Sequence, residues 1–219
     1  MFVLQTWIDT KGLPDDRQSF ECPVPESESP KTGFITSIAT GGHIDEIVRF
    51  AGSRDTVVIA DVLEEERNTV LGKMVLEAVS SIETALDDYT RKTGIPIKRI
   101  RVPMPPLMTQ VCEKGTYIYE SMESLVFNRK DLQEHINEGN PINVIASASY
   151  INYLVTNGVV LVAKYMKPGR SELFAKADSM AVSALKEAFP DRDVVQVDVE
   201  ALNYIGGGMN CISQQEPRI

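Results

Sequence analysis

The chain has 219 residues, 43% of them apolar and 24% charged, a globular balance with enough apolar material for one substantial core or two small ones. Asp and Glu outnumber Lys and Arg 31 to 22, and the formal charge of -9 disfavours partners with phosphate surfaces, nucleic acid and anionic membrane alike. No apolar run approaches a membrane span, and three cysteines are too few and too odd in number for a disulfide scaffold, so a reducing, cytoplasmic setting is expected.

In chain order, the opening MFVLQTWIDTKG lacks a basic n-region, and its apolar stretch is broken at Gln5 and Asp9, unlike a signal peptide. Residues 10–33 read as a loop-rich, proline-punctuated stretch. TVVIADV, from Thr56 to Val62, predicts a buried strand. Val70, Leu71, Met74, Val75, Ala78, Val79, Ile82, Ala85, Leu86 and Tyr89 then recur on one helical face, with Gly94 and Pro96 at its end. IKRIRVP predicts the next strand, and Pro103, Pro105 and Pro106 preclude an uninterrupted helix or central strand beyond it. The later half repeats the order. GVVLVAKY predicts a strand, and ELFAKADSMAVSALKEAF a helix with Leu173, Phe174, Ala177, Met180, Ala181, Ala184, Leu185 and Ala188 on one side. Pro190 stops that helix, and DVVQVDV predicts a strand.

The two modules, near 43–102 and 150–199, extend upstream into HIDEIVRF and YINYLVTN, which aligns Asp45 with Asn152 and Ile44 with Ile151. Such a repeat presents polar groups from equivalent places. Helices alternating with buried strands predict an α/β class, here in a single domain over 1–219.

Of the two histidines, His135 reads as a surface helix residue. His43 follows two glycines and stands two positions before Asp45, so in a strand the imidazole and the carboxylate share a face. Two uses stay open: a polar turn with a helix starting at Asp45, or an imidazole for proton transfer beside a carboxylate for a cation. Cys211 also has two readings. It is a small apolar residue packed between Ile205 and Ile212, or a nucleophile on a sharp turn made by Gly206, Gly207 and Gly208, which admit close approach of a substrate. Cys22 and Cys112 have no comparable context. No C-x-x-C or H-x-x-x-H pair accompanies these residues, and the glycine run lacks GKS/T spacing, so neither a metal nor a nucleotide cofactor is expected.

Four blocks in order, GGHIDEIVRF, ASYINYLVTNGVVLVAKY, FPDRDVVQVDVEAL and YIGGGMNCISQQEP, resemble the bacterial-type peptidylarginine deiminase and agmatine deiminase family of guanidino-modifying enzymes. The resemblance implies a pentein-type α/β propeller whose blades are strand–helix–strand units. It implies that Cys211 is the nucleophile, His43 the general acid/base and Asp45 a carboxylate gripping the guanidinium. Asn152 matches a site-lining asparagine, Asn157 and Gly158 fall in the second block, and Gly207 and Gly208 belong to the turn presenting the cysteine.

The implied reaction is hydrolysis of a guanidino group, in agmatine or in peptidyl arginine, through a covalent thiouronium intermediate with release of ammonia. The guanidinium would be held by bidentate carboxylate contacts. Two departures accompany the likeness. Asn210 and Ser213 stand where the family has histidine and threonine. The family's Glu-Gly-Gly block, with a second guanidinium-binding acidic residue, has no counterpart, so about three of five blades are expected. The shortfall has several readings: a truncated chain, self-association, a segment supplied by another chain, or an inactive pentein-like fragment. An amidinotransferase-like relative is the rival chemistry.

Overall fold

The computed structural model describes residues 35–36, 44–53, 55–125, 137–214 and 216. The stretch 10–33 and the positions of His43, His135 and Cys22 lie outside the described residues. The chain forms two compact units.

The larger unit combines His43–Pro106, Ala148–Glu200 and Gly207–Ile219. It holds the repeat. In its first module a 3-10 turn (Ile44–Glu46) leads into β2 (Val48–Phe50), which runs antiparallel to β3 (Thr56–Asp61). Helix α1 (Val70–Thr93) then carries the chain to β4 (Lys98–Pro103), parallel to β3. The second module has the same plan: β7 (Leu154–Val155) antiparallel to β8 (Val159–Ala163), helix α3 (Glu172–Ala188), and β9 (Asp193–Val197) parallel to β8. Each makes a three-stranded sheet with the first strand of the helical crossover at its centre, β2-β3-β4 and β7-β8-β9.

Local sequence accounts for these elements. Val57, Val58, Ile59 and Ala60 are all fully buried, as a strand with both faces covered requires. Thr69 caps α1 by accepting from the Gly72 N–H at 3.0 Å, and Gly94 ends it in the left-handed region at φ 71°. Val75, Val79, Ile82 and Leu86 form its buried stripe, whereas Tyr89, at the end of the predicted face, is exposed. Ser171 caps α3 in the same way, and α3 packs on β3 and β4 of the first module as well as on its own β8 and β9. Covering two sheets explains why Phe174, Ala177, Ala181, Leu185 and Ala188 are all buried. One expectation changes here. Met180 is exposed, and the apolar side of α3 instead contains the buried carboxylate of Asp178.

The smaller unit combines Met1–Gly42, Leu107–Ser147 and Ala201–Gly206. Its sheet, β1 (Ile35–Thr36), β6 (Ile142–Ile145) and β5 (Thr109–Cys112), repeats the pattern with one change of order. β5 is antiparallel to the central β6, but the parallel flank, β1, comes earlier in the chain than both. Helix α2 (Tyr117–Leu125) lies between β5 and β6 in sequence, and most of the short helix α4 (Glu200–Tyr204) belongs here too. Met108, Cys112, Tyr119, Ile142 and Val144 supply the core, and burial raises the Cys112 thiol pKa above its ordinary value.

Candidate functional site

In both modules of the larger unit the residues just before the first strand carry the polar groups, and the two pre-strand segments are tied together. Ser149 Oγ donates to the Glu46 carbonyl at 2.7 Å and accepts from the Ile151 N–H at 3.0 Å. The Arg49 guanidinium donates to the carbonyls of Ile151 and Tyr153 and lies over the Tyr153 ring, 4.2 Å from its centroid. The Tyr153 hydroxyl reaches the Phe50 carbonyl at 3.4 Å, and burial pushes that phenol up to about 12 against the opposing pull of Arg49.

A second layer holds residues 149–153 from beneath. Buried Asp178 accepts the Tyr150 hydroxyl at 2.6 Å and the backbone N–H groups of Tyr165 and Met166 at 3.0 and 2.9 Å. The Tyr165 hydroxyl accepts the Ser149 N–H at 3.0 Å. Burial raises the proton affinity of both Tyr150 and Tyr165, so both remain neutral donors and acceptors.

On this frame Asn152, buried to 3% exposure, sits at the centre of the site. Its Nδ2 donates to Asp45 Oδ2 at 2.9 Å and to Cys211 Sγ at 3.1 Å. Its Oδ1 accepts the Asn210 N–H at 2.8 Å and the Cys211 N–H at 3.4 Å. Asn210 Nδ2 donates to the same Asp45 oxygen at 2.7 Å, and Cys211 Sγ lies 3.8 Å from that oxygen. Thus a carboxylate, two amides and a thiol converge. Cys211 is exposed, as are Ile205 and Ile212, so the reading of a cysteine packed between two isoleucines is not met.

The glycine run has a more specific use than substrate access. Gly206 takes φ 95°, the left-handed turn out of α4. Gly208 abuts Asn152: a Cβ there would lie 2.6 Å from Oδ1 and 2.9 Å from Cβ of that residue. The missing side chain makes room for Asn152. Gly207 runs close to Cys211 in the same way, 3.1 Å from its Cβ to where a side chain would begin.

Asp45 lies in the 3-10 turn, not in a strand, so the strand-face argument pairing it with residue 43 does not hold for it. Short polar side chains at this entry to β2 favour a turn over extended pairing. Glu46, its neighbour, has no signal in the sequence that sets it apart from other acidic residues. Its carboxyl is pushed up to about 7, first by burial and then by the adjacent negative charge of Asp45. Asp178, Tyr150 and Tyr165 were also missed as supports of the site. The one signal was an aspartate on the otherwise apolar side of a helix.

A cavity of about 660 Å3 elsewhere in this unit is lined in part by Gly52, Lys98, Asn157, Phe189 and Arg192, and by none of Asp45, Asn152, Asn210 or Cys211. Its cations are already engaged: Lys98 pairs with Glu187 at 2.8 Å, and Arg192 donates to the Thr156 carbonyl. Cys211, by contrast, is exposed, with its sulfur beside the Asn152 amide and the Asp45 carboxylate. Asn157 and Gly158 line this cavity and not the cysteine cluster. Among the described residues no group of three or more His, Cys, Asp or Glu side chains is placed to hold a metal ion.

Comparison with known proteins gives this arrangement relatives. The family model for Porphyromonas-type peptidyl-arginine deiminase matches residues 31–217. A Lactococcus lactis protein provisionally named agmatine deiminase is 27% identical over 179 residues, covering 82% of this chain and 41% of the relative. An Enterococcus faecalis protein with the same provisional name is 24% identical over 184 residues, with the same coverage of each. The chain therefore spans about 41% of the length of the curated relatives it matches. Among solved structures, an Enterococcus faecalis agmatine deiminase aligns with a TM-score of 0.53 at 24% identity, over 83% of this chain and 42% of that one. A Porphyromonas gingivalis protein provisionally named arginine deiminase aligns with a TM-score of 0.51 at 23% identity, over 82% and 39%. The α/β fold of those enzymes is shared by this chain.

Proposed function

Since the chain belongs to the Porphyromonas-type peptidyl-arginine deiminase family, we propose that it carries the nucleophile-bearing part of a guanidine deiminase, with agmatine as the favoured substrate. The observation that carries this reading is the shared Asn152 amide, which joins an exposed thiol to a carboxylate 3.8 Å away. The choice of agmatine over peptidyl arginine follows the names of the curated relatives.

In the mechanism, Asp45 attracts the cationic guanidinium and places its carbon before Cys211. The thiolate attacks, and the C–N double bond gives way to a tetrahedral adduct. A proton supplied to one nitrogen lets it depart as ammonia, which leaves a thiouronium bound to sulfur. Water then attacks the same carbon, the C–S bond breaks, and the ureido product and free thiol are restored. The amide of Asn152, donating to the sulfur, stabilises the thiolate whenever it is free. His43 is the proposed acid/base, on the strength of the sequence block that contains it. The three sheets correspond to three blades of a five-bladed pentein ring, and the cytoplasm is the proposed setting. No helix among the described residues is long and apolar enough to cross a membrane.

The test is ammonia release from agmatine, free arginine and a peptidyl arginine, with Cys211→Ser alongside. Ammonia from agmatine that disappears in the variant supports the reading. Release that persists removes Cys211 from the mechanism. No release from any of the three means that this chain needs a partner or further length to work, or is an inactive member. Product formed only with an added amine acceptor makes it a transferase.

A further inference from the structure

Asp45, Asn152 and Asn210 form a closed ring of hydrogen bonds. Asn152 and Asn210 each give an amide N–H to Asp45 Oδ2, at 2.9 and 2.7 Å, and the Asn210 N–H closes the ring on Asn152 Oδ1 at 2.8 Å. Asn210 is also fixed from behind, because its carbonyl accepts both the hydroxyl and the N–H of Ser213, at 3.0 and 3.2 Å. A carboxylate has about four lone-pair sites, two on each oxygen. Two amide donors therefore occupy Oδ2, with the Cys211 thiol 3.8 Å from the same oxygen, while among the described residues no donor reaches Oδ1.

We propose that Asn210 is a positioning residue that holds Asp45 by Oδ2, so that a guanidinium is read through Oδ1 alone and not by a two-oxygen fork. The inference rests on the guanidine reading above and replaces the bidentate contact that the sequence resemblance implies. It follows from chemistry as well as distance. Both clamping groups are amides, which donate at every working pH and hold no charge of their own. They orient the carboxylate without neutralising it, and its attraction for a cation is kept. Because the Asn210 backbone continues into Cys211, the same ring sets the carboxylate and the nucleophile relative to each other.

The test compares Asn210→Ala and Asn210→Asp with the unaltered chain. Loss of one charge-assisted hydrogen bond to a substrate-binding carboxylate predicts that Asn210→Ala raises KM for agmatine about tenfold, with kcat changed by less than about threefold. Asn210→Asp has the same shape, but once ionised it cannot donate and sets a second negative charge against Asp45. It is expected to lose more at pH 8 and to recover toward the unaltered KM as pH falls toward about 5, where a protonated carboxyl donates in place of the amide. The ionisable side chains of Asp45, Glu46 and Cys211 stand nearby, so the recovery is read relative to Asn210→Ala at each pH. A role in packing alone gives no such recovery.

Alkylation of Cys211 by iodoacetamide, followed by mass spectrometry, supplies a readout independent of turnover. Asn210→Asp should slow it about threefold or more relative to Asn210→Ala at pH 8, and the two rates should converge at low pH. Equal rates at pH 8, or an unaltered KM in both variants, would overturn the proposal. If the unaltered chain releases no ammonia from any guanidine, the functional reading fails by itself, and the alkylation rates still decide whether Asn210 controls the Asp45 charge beside the thiol.

Discussion

At Gly208 a Cβ would lie 2.6 Å from the Asn152 side-chain oxygen. Alanine there places a methyl group within van der Waals overlap of the Asn152 side chain, which is buried and held by four hydrogen bonds. Gly208→Ala should therefore reduce ammonia release at least about a hundredfold and lower stability by about 1–3 kcal/mol, measured by urea unfolding. Full activity in this variant would mean that Asn152 need not stand where it does. Glu46 gives the pH dependence. Its carboxyl titrates at about 7 in the folded chain against 4.5 ordinarily, so between those values the folded state holds a proton that the unfolded state has lost. Stability from this group therefore declines as pH rises from about 4.5 to 7, by roughly 2 kcal/mol after allowing for partial solvent access. Glu46→Gln should flatten that slope in denaturant titrations across the interval. In the same window the ionised form adds negative charge beside Asp45, so KM for a cationic substrate should fall as pH rises through 7, and Glu46→Gln should remove that fall.

Among the elements, α3 does the most to position the site, through one buried carboxylate. Asp178 satisfies three donors, and two of them belong to the turn that follows β8. Asp178→Ala would leave the buried Tyr150 hydroxyl and Tyr165 N–H and the half-buried Met166 N–H without their acceptor, a cost of about 3 kcal/mol. A lowered midpoint in thermal unfolding, together with reduced kcat, is the expected outcome. Asp178→Asn keeps the shape but brings an amide where acceptors are needed, so it should lie between. The strand–helix–strand repeat was legible because period and caps are local: Thr69, Gly94 and the Val75–Leu86 stripe state one helix by themselves. β2 and β7 were visible only as a sequence match upstream of each module. Strands of three and two residues are too short for their own periodicity and are fixed by pairing with β3 and β8. The polar, proline-bounded segment after β4 hid β5, α2 and β6 for the same reason.

For the molecule as a whole, the formal charge of -9 is the long-range feature that a cationic substrate, as proposed above, would meet. Surface charge steers encounter and is screened over about 10 Å at 0.1 M salt. Raising the salt from about 0.01 to 0.3 M should therefore raise KM for agmatine several-fold while leaving kcat nearly unchanged. A neutral guanidine analogue should show no such dependence. The two compact units also differ in how their sheets are assembled. In the larger unit each sheet is built from one continuous stretch of chain, whereas in the smaller one β1 joins β6 across more than a hundred residues. Pairing over that separation carries a high loop-closure cost, so β1 should be the first strand to lose hydrogen-exchange protection.

Sequence alone determined the α/β class, the internal repeat and the candidates Asp45 and Cys211, because these rest on periodicity, caps and local context, while Asn152 and Asn210 entered as site residues through the family resemblance. The alignment of Asp45 with Asn152 was already a statement about equivalent places. Only the tertiary structure decided that the two side chains meet, that the thiol is exposed, and that Gly208 exists for Asn152. Those facts depend on distances between residues far apart in the chain, set by α3 packing on both modules and by Asp178 beneath the 149–153 segment. A residue whose role is to leave room, or to pair with something a hundred positions away, has no local signature to read.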